Sequence, residues 1–459
     1  MEQAFIHQLR TITGERGVLT GDDVTSRTTG FFPPDKTLAQ YLVRPRNTGE
    51  VAAVMKLAHA ARQPVVTHGG RTGLVHGADS SPGDLILSLE RMNGIEEIDP
   101  VQRIAVVQAG VTLQALQEAA EAHDLMFPLD LGARGTATIG GNVATNAGGN
   151  RVIRYGMTRA MVLGLEAVLA DGTVVSSLNR MIKNNAAYDL KQLFIGSEGT
   201  LGVVTRVVLR LFERPRSQDV ALVAIDGFSQ VTAFLKHMDR ALGGGLSAFE
   251  VMWREFYVSV TTPPAKAAPP LAQTHPYYVL VEAQGADAAR DAARFAEALE
   301  AAHDAGLIVD ATLAQSEREI GALWGLRDDV GQMMQDGVPF VFDVSLPMAA
   351  METYITGVRS ALATRWPDHR CWVFGHLGDG NLHFVIYAGD ATGGARTEVE
   401  RSVYAPLAAI GGSVSAEHGI GLEKKSYLDI SRNPAEIALM QTLKRTLDPH
   451  GILNPGKVI

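Results

Sequence analysis

The length, composition and charge of this chain restrict the kind of protein it forms. Its 459 residues suffice for about three domains of ordinary size, and 46% hydrophobic with 20% charged residues is a composition that builds packed cores. The net charge of −9 argues against a nucleic-acid or anionic-membrane partner, because both require clustered lysine and arginine. A single cysteine, Cys371, excludes an intramolecular disulfide.

The N-terminal residues bear on the location of the protein. Residues 1–5 lack the basic start and apolar run of a secretory signal. No stretch approaches the ~18 uninterrupted apolar residues of a transmembrane helix. We therefore expect a cytoplasmic protein without a transmembrane segment, and peripheral association with a membrane stays open.

The first half of the chain follows an α/β pattern. An N-terminal segment, residues 1–40, ends near the Phe-Phe-Pro-Pro run at 31–34, and residues 41–213 then alternate helical patterns with β-branched runs. Asn47 or Thr48 can cap the first helix of this domain. The pattern further predicts strands at 65–66, 104–108 and 202–212, and a helix capped by Thr112.

The composition changes after residue 213. Two strands are predicted, each followed by a helix; the strands lie at 219–225 and 277–282, and the helices at 229–242 and 286–303. This repeated β-α-β order predicts a ferredoxin-like domain over residues 214–410. Residues 411–459 form a C-terminal segment that we expect to pack back on the first domain. The predicted fold class is α+β.

Three glycine-rich clusters lie in the first domain, at residues 68–74, 138–150 and 196–202. Such segments can turn several backbone N–H groups toward an anion. None has the G-x-G-x-x-G order that opens a helix in nicotinamide-binding domains, and the Walker lysine is missing. A single cluster is more often a plain turn. Three in one domain favour an extended ligand with a pyrophosphate and polar rings.

A histidine motif, GHLGDGNLH, occupies residues 375–383. His376 and His383 flank a Gly-Asp-Gly turn between two predicted strands, so both imidazoles are expected at one end of a sheet. Glu417 and His418 follow later in the chain. Two neutral imidazoles and one carboxylate leave open coordination positions, which is typical of catalytic zinc, manganese or non-haem iron. The alternative is a set of ordinary loop histidines.

Taken together, the motifs resemble those of the FAD-dependent D-2-hydroxyacid dehydrogenases of the vanillyl-alcohol oxidase type. This group includes D-lactate dehydrogenase, D-2-hydroxyglutarate dehydrogenase and the glycolate oxidase flavin subunit. The resemblance covers nearly the whole chain and implies a two-part FAD-binding domain with a ferredoxin-like substrate (cap) domain. It rests on residues 64–77, 128–130, 138–149, 188–190, 194–202, 375–383, 415–421 and 451–457.

The resemblance also implies how FAD is held. Relatives with a covalent flavin have a histidine where Arg71 stands here, so we expect non-covalent FAD, and His68 is not a strong candidate for a tether. The cofactor-binding residues that the resemblance implies are His68, Gly69, Gly70, Arg71, Thr72, Gly73, Leu74, Pro128, Asp130, Thr138, Gly140, Gly141, Asn142, Thr145, Gly148, Glu198, Gly202, Val204 and Asn454.

The chemistry of 2-hydroxy-acid oxidation assigns further roles. FAD takes the hydride from C2, so the protein must hold the carboxylate and remove the hydroxyl proton. A divalent metal, zinc or manganese, on His376, His383 and Glu417 would lower the hydroxyl pKa. His418 is then the expected base, and its other interpretation is a residue that orients Glu417. By the resemblance, Arg327 grips the substrate carboxylate.

Two positions bear on the substrate. Relatives that act on D-2-hydroxyglutarate carry a lysine close to the position of Val341 and a polar amide near Val385. Both are valine here. We therefore expect a D-2-hydroxy monocarboxylate with a small or apolar tail, such as D-lactate, ahead of D-2-hydroxyglutarate. Lys424 or Lys425 is the alternative source of the missing charge.

Two other protein classes stay open. One is a non-flavin metal oxygenase or hydrolase, which leaves the glycine clusters unexplained. The other is the flavin subunit of a glycolate-oxidase-like complex associated with a membrane. The electron acceptor is open among electron-transfer flavoprotein, a quinone and a cytochrome, and a homodimer is open as well.

Overall fold

The computed structural model describes residues 2–30, 35–335, 337–389 and 393–459. The predicted end of the N-terminal segment at 31–34 lies outside these residues. The chain divides into two compact units. Unit 1 comprises the residues up to Gly149, Gly156–Arg214 and Glu417–Ile459, and unit 2 comprises Asn150–Tyr155 and Pro215–Ala416.

The strands are short in the first half of the chain and longer in the second. In chain order they are β1 (Val18–Thr20), β2 (Thr28–Thr29), β3 (Asp35–Lys36), β4 (Tyr41–Val43), β5 (Val65–His68), β6 (Leu85–Ser88), β7 (Ile95–Asp99), β8 (Ile104–Gln108), β9 (Leu125–Met126), β10 (Val162–Val168), β11 (Val174–Ser177), β12 (Val203–Arg210), β13 (Phe212–Glu213), β14 (Ser217–Ile225), β15 (Leu246–Trp253), β16 (Tyr277–Gly285), β17 (Asp310–Leu313), β18 (Phe340–Ser345), β19 (Arg370–His376) and β20 (Asn381–Tyr387).

The helices range from single turns to rods of several turns. In chain order they are α1 (Glu2–Thr13), α2 (Asp22–Thr25), α3 (Thr48–Ala61), α4 (Leu113–Glu121), α5 (Ile139–Thr145), α6 (Val152–Tyr155), α7 (Thr158–Met161), α8 (Phe228–Leu242), α9 (Arg254–Thr261), α10 (Ala288–Asp304), α11 (Glu317–Asp328), α12 (Met351–Arg365), α13 (Gly393–Tyr404), α14 (Leu407–Ile410), α15 (Leu428–Ser431) and α16 (Pro434–Leu447).

Unit 1 contains two larger sheets. One has the order β1-β4-β6-β5, with β4, β6 and β5 parallel, and Leu453 of the C-terminal segment bridges to Val65 of β5. The other is antiparallel, in the order β11-β10-β12-β8-β7. The strands predicted at 65–66 and 104–108 are confirmed, and the one predicted at 202–212 is β12 followed by β13.

Helix caps in unit 1 follow the sequence. Asn47, rather than Thr48, caps α3, because its side chain accepts the N–H of Glu50. Thr112 caps α4 as predicted.

The second glycine cluster, in contrast, opens the unpredicted helix α5, whose cap is Thr138. A Cβ on Gly140 would lie 2.6 Å from the Cβ of Ala109, so glycine lets α5 pack closely against the residue that follows β8.

Unit 2 is built on one antiparallel sheet of seven strands in the order β17-β14-β16-β15-β19-β20-β18. Its first four strands, with α8 after β14 and α10 after β16, have the ferredoxin-like arrangement that the sequence predicts. Strands β15 and β17 were not predicted. Strands β19, β20 and β18 widen the sheet and carry the histidine motif.

Candidate functional site

A cavity of about 390 Å³ opens in unit 1, and segments from all three glycine clusters line it. Most of the residues predicted to bind the cofactor are in its wall. They are Gly69, Gly70, Arg71, Thr72, Gly73, Leu74, Thr138, Gly140, Gly141, Asn142, Thr145, Gly148, Glu198, Gly202, Val204 and Asn454. Three predicted residues, His68, Pro128 and Asp130, are not part of that lining.

The loop that begins the cavity depends on glycine. A Cβ on Gly70 would lie 2.1 Å from the carbonyl oxygen of Thr136, and a Cβ on Gly69 would lie 2.6 Å from the hydroxyl of Thr138. Neither distance is sterically possible, so any side chain there would push the loop away from the segment before α5. The two clusters, distant in sequence, thus form adjacent parts of one wall.

The cavity presents polar atoms to a ligand. Among the described residues, Nδ2 of Asn142 and Oγ1 of Thr67 are buried without a hydrogen-bond partner, and both residues line the cavity. Buried polar atoms are normally paired, so these two point to a bound polar molecule. A cavity walled by glycine-rich segments and carrying such donors fits the polar groups of a flavin dinucleotide.

The two residues that bear on a covalent tether, His68 and Arg71, both make hydrogen bonds within the protein. Nε2 of His68 donates to the carbonyl of Ala78 at 2.8 Å, and burial lowers the pKa of His68 to about 4. The ring is therefore neutral at pH 7. Arg71 lines the cavity, and its Nη1 donates to the carbonyl of Thr28 at 2.6 Å.

Glu198 stabilises a second wall of the cavity through hydrogen bonds. Its carboxylate accepts the backbone N–H groups of Ile420 at 2.7 Å and Gly421 at 2.9 Å. Burial raises the pKa of Glu198, against the effect of these two hydrogen bonds. Gly421 has φ +51° and no room for a side chain, since a Cβ would lie 1.9 Å from the carbonyl oxygen of Val75. The turn at residues 417–421 is thereby fixed in place.

That turn carries Glu417 and His418, which line the same cavity. Oε2 of Glu417 accepts the backbone N–H of Gly149 at 2.8 Å. The predicted metal ligand Glu417 and the predicted base His418 thus lie in unit 1, in one wall with the glycine clusters. The expectation that the C-terminal segment packs back on the first domain is thus met from residue 417 onward, although more than two hundred residues separate Glu417 and His418 from the glycine clusters in sequence.

The other two predicted metal ligands lie in unit 2. The predicted hairpin is confirmed, because His376 ends β19, His383 lies in β20, and Phe374 pairs with His383. The two imidazole rings are 5.3 Å apart between centroids. Nδ1 of His383 lies 3.8 Å from the carboxylate of the buried Asp343.

Arg327, on α11, is buried on the same face of this sheet, with its guanidinium 4.8 Å from the ring centre of Phe374. Its Nε donates to Glu250 at 2.8 Å, and the other oxygen of Glu250 lies 2.6 Å from Nδ1 of His376. Burial works to raise the pKa of Glu250, but His376 and Arg327 hold it below its ordinary value. Glu250 was not predicted as a functional residue, although it is the only charged residue in the run that forms β15.

Comparison with known proteins identifies related domains in both halves of the chain. A model of an FAD binding domain matches residues 39–177, and a model of the C-terminal domain of FAD-linked oxidases matches residues 214–458. The D-2-hydroxyglutarate dehydrogenase of Xanthomonas citri pv. viticola is 42% identical over 422 residues, which cover 90% of this chain and 88% of that protein. The one from Stutzerimonas stutzeri is 34% identical, covering 100% and 99%.

Solved structures agree on the fold. p-Cresol methylhydroxylase superposes with a TM-score of 0.80 at 15% identity, covering 100% of this chain and 96% of that one. 4-Ethylphenol oxidase from Gulosibacter chungangensis gives 0.75 at 18% identity, covering 100% and 97%. Both have the vanillyl-alcohol oxidase fold.

The matched domains define the class of the protein as an FAD-linked oxidase. Within that class, the chain belongs to the FAD-dependent D-2-hydroxyacid dehydrogenases. In the part of the chain that the structure describes, no helix is both long and apolar enough to cross a membrane.

Proposed function

We propose that this dehydrogenase oxidises D-2-hydroxy monocarboxylates with a small or apolar tail, such as D-lactate, to the 2-oxo acids. The observation that carries the proposal is the direct pairing of Val341 in β18 with Val385 in β20. The family resemblance associates a lysine and an amide with these positions in enzymes for the dicarboxylate D-2-hydroxyglutarate.

The surroundings of the valine pair favour an apolar tail. Val385 is fully buried and lies two residues beyond His383, on the same face of the strand. Its partner on β19 is Trp372, and both belong to one apolar cluster. A second carboxylate buried there without a partner would cost several kcal/mol, whereas an alkyl tail would gain about 0.8 kcal/mol per buried CH₂.

The alternative source of positive charge is weaker. The ammonium group of Lys425 donates to the carbonyl oxygen of Gly456 at 2.9 Å, so this side chain already has a partner. Lys424 is almost completely buried and is also engaged in the protein. These observations do not favour either lysine as the partner of a second substrate carboxylate.

The roles in the reaction follow from the chemistry. FAD, when bound, accepts the hydride from C2 of the substrate. Arg327 binds the substrate carboxylate through its planar guanidinium. His418 removes the hydroxyl proton. The FAD is held non-covalently, because Arg71 occupies the position of the tethering histidine.

We also propose a divalent metal, zinc or manganese, on His376, His383 and Glu417. Its chemistry would be to lower the pKa of the substrate hydroxyl. The donor types support it, since imidazole and carboxylate suit both ions. The contact of His376 Nδ1 with Glu250 also supports it, because it directs the lone pair of the ring to Nε2.

The second candidate substrate is D-2-hydroxyglutarate. The names of the bacterial relatives favour it, and so does the mitochondrial D-2-hydroxyglutarate dehydrogenase of Bos taurus, 42% identical over 423 residues that cover 92% of this chain and 77% of that protein. The electron acceptor, which we take to be an electron-transfer flavoprotein, a quinone or a cytochrome, and a cytoplasmic location belong to the same proposal.

Substitution of one valine tests the proposal. Val341→Lys introduces the charge that the apolar site lacks, so kcat/KM for D-2-hydroxyglutarate should rise relative to D-lactate by tenfold or more. Val341→Met is the matched control, because it adds length without charge and should leave the dicarboxylate a poor substrate. An unchanged ratio in Val341→Lys would show that this position does not contact the substrate tail.

A further inference from the structure

Glu250 joins two residues with different roles. One carboxylate oxygen contacts Nδ1 of His376 at 2.6 Å, and the other contacts Nε of Arg327 at 2.8 Å. All three side chains are nearly inaccessible to solvent, with exposures of 1% for Glu250 and 7% for the other two. A buried carboxylate with two charge-assisted hydrogen bonds holds both partners in fixed orientations.

The contact with Glu250 also sets the tautomer of His376. A carboxylate only accepts hydrogen bonds, so Nδ1 of His376 carries the hydrogen. Nη2 of Arg327 lies 3.5 Å from Nε2 of the same ring. In the neutral ring that binds a metal, a hydrogen on Nδ1 leaves Nε2 without one. The lone pair of the ring therefore resides on Nε2.

We propose that Glu250 is a positioning residue of this enzyme, which fixes His376 in the metal-binding tautomer and aims the guanidinium of Arg327 at the substrate carboxylate. The proposal rests on the proposed function, in which His376 binds a divalent metal. It adds a residue that touches neither metal nor substrate. It also explains why a charged residue stands in the otherwise uncharged strand β15.

Glu250→Gln tests this role because an amide cannot accept from both neighbours. Its nitrogen must face either Nδ1 of His376 or Nε of Arg327. If the amide nitrogen faces His376, the ring hydrogen moves from Nδ1 to Nε2, and Nε2 loses the lone pair that would bind the metal. If the amide nitrogen faces Arg327, it displaces the guanidinium. We expect the affinity for Zn²⁺ or Mn²⁺ to fall 10–100-fold and KM to rise by at least a similar factor.

A second buried ion pair supplies the matched control. Glu282, in β16 of the same sheet, is completely buried and is bound by Arg151 at 2.8 Å. Glu282→Gln removes the same charge from the same kind of pair, but Glu282 makes no hydrogen bond to His376 or Arg327. It should lower thermal stability to a similar extent without changing metal affinity. Glu250→Asp, which keeps the charge and shortens its reach, serves if Glu250→Gln does not fold.

The experiment is a titration of metal-depleted FAD-loaded enzyme with Zn²⁺ or Mn²⁺, followed by kcat and KM of the reloaded protein. A loss of metal affinity in the Glu250 variant, but not in Glu282→Gln, supports the proposal. Equal affinities in wild type and Glu250→Gln, or no metal uptake by wild type, would overturn it. If metal affinity falls as expected but wild type oxidises no D-2-hydroxy acid, the substrate proposal fails and the positioning role stands.

Discussion

The carboxylate of Glu198 accepts the backbone N–H of Gly421 at 2.9 Å, across more than two hundred residues of sequence. Its second oxygen accepts the N–H of Ile420 at 2.7 Å. Both donors lie just beyond His418 in the chain. A residue of the third glycine cluster thus holds the turn that carries the proposed catalytic base in the cavity wall.

Replacing this carboxylate should loosen the turn. Glu198→Gln retains one acceptor and turns an amide N–H toward one of the two backbone donors, leaving a buried group unpaired at a cost of about 1–3 kcal/mol. We expect faster hydrogen exchange at the amides of Ile420 and Gly421. Glu90→Gln, which removes two ion pairs in the same unit, those with Arg27 and Arg44, is the control. Unchanged protection of both amides in Glu198→Gln would contradict the proposed support.

The role of His418 can be separated from metal binding. If His418 is the base, His418→Asn should slow flavin reduction by roughly 10²–10⁴, with metal and FAD contents close to those of wild type. Stopped-flow absorbance gives the rate, and elemental analysis gives the metal content. A variant that retains FAD but loses its metal would assign His418 to the coordination shell instead.

The FAD should leave the denatured protein completely. Arg71 has no nucleophilic ring nitrogen, and the buried His68 does not line the cavity. Acid precipitation should therefore release all of the yellow colour into the supernatant. Colour that remains in a washed pellet would refute the non-covalent assignment.

Acid should weaken unit 1 through His68. Burial lowers its pKa in the folded state from 6.5 to about 4, so the neutral form contributes stability above pH 6.5 that is lost as the pH falls toward 4. The full loss is on the order of 3 kcal/mol. His68→Gln has no such titration and should lose less stability than wild type between pH 7 and pH 5 in urea unfolding at saturating FAD. Equal losses in both proteins would contradict the assignment.

The sequence was most informative where local chemistry determines structure. Asn47 and Thr112 cap their helices as predicted, and the Gly-Asp-Gly turn forms the hairpin that brings His376 and His383 together. The glycine clusters correctly indicated the cavity wall. Two backbone segments can lie this close together only where glycine leaves room, and this holds whichever residues the second segment contains. The helix α5 was missed because its glycines serve packing, and glycine is otherwise a poor helix former.

The partners of buried charges could not be predicted. Glu250 meets His376 only because β15 pairs with β19, and these strands are far apart in sequence. β15 is buried along its whole length, so it lacks the alternation of apolar and polar residues that marks a strand with one exposed face. The contacts of Glu198 with Ile420 and Gly421 could not be predicted for the same reason, because only the tertiary structure brings these residues together.

The proposed substrate preference is tested most directly by the ratio of kcat/KM values for D-lactate, D-2-hydroxyisovalerate, D-mandelate and D-2-hydroxyglutarate, measured with an artificial electron-accepting dye. We expect turnover of the D but not the L enantiomers, with a monocarboxylate preferred over D-2-hydroxyglutarate by tenfold or more, because Val341 and Val385 offer no partner to a second carboxylate. A clear preference for D-2-hydroxyglutarate would contradict it.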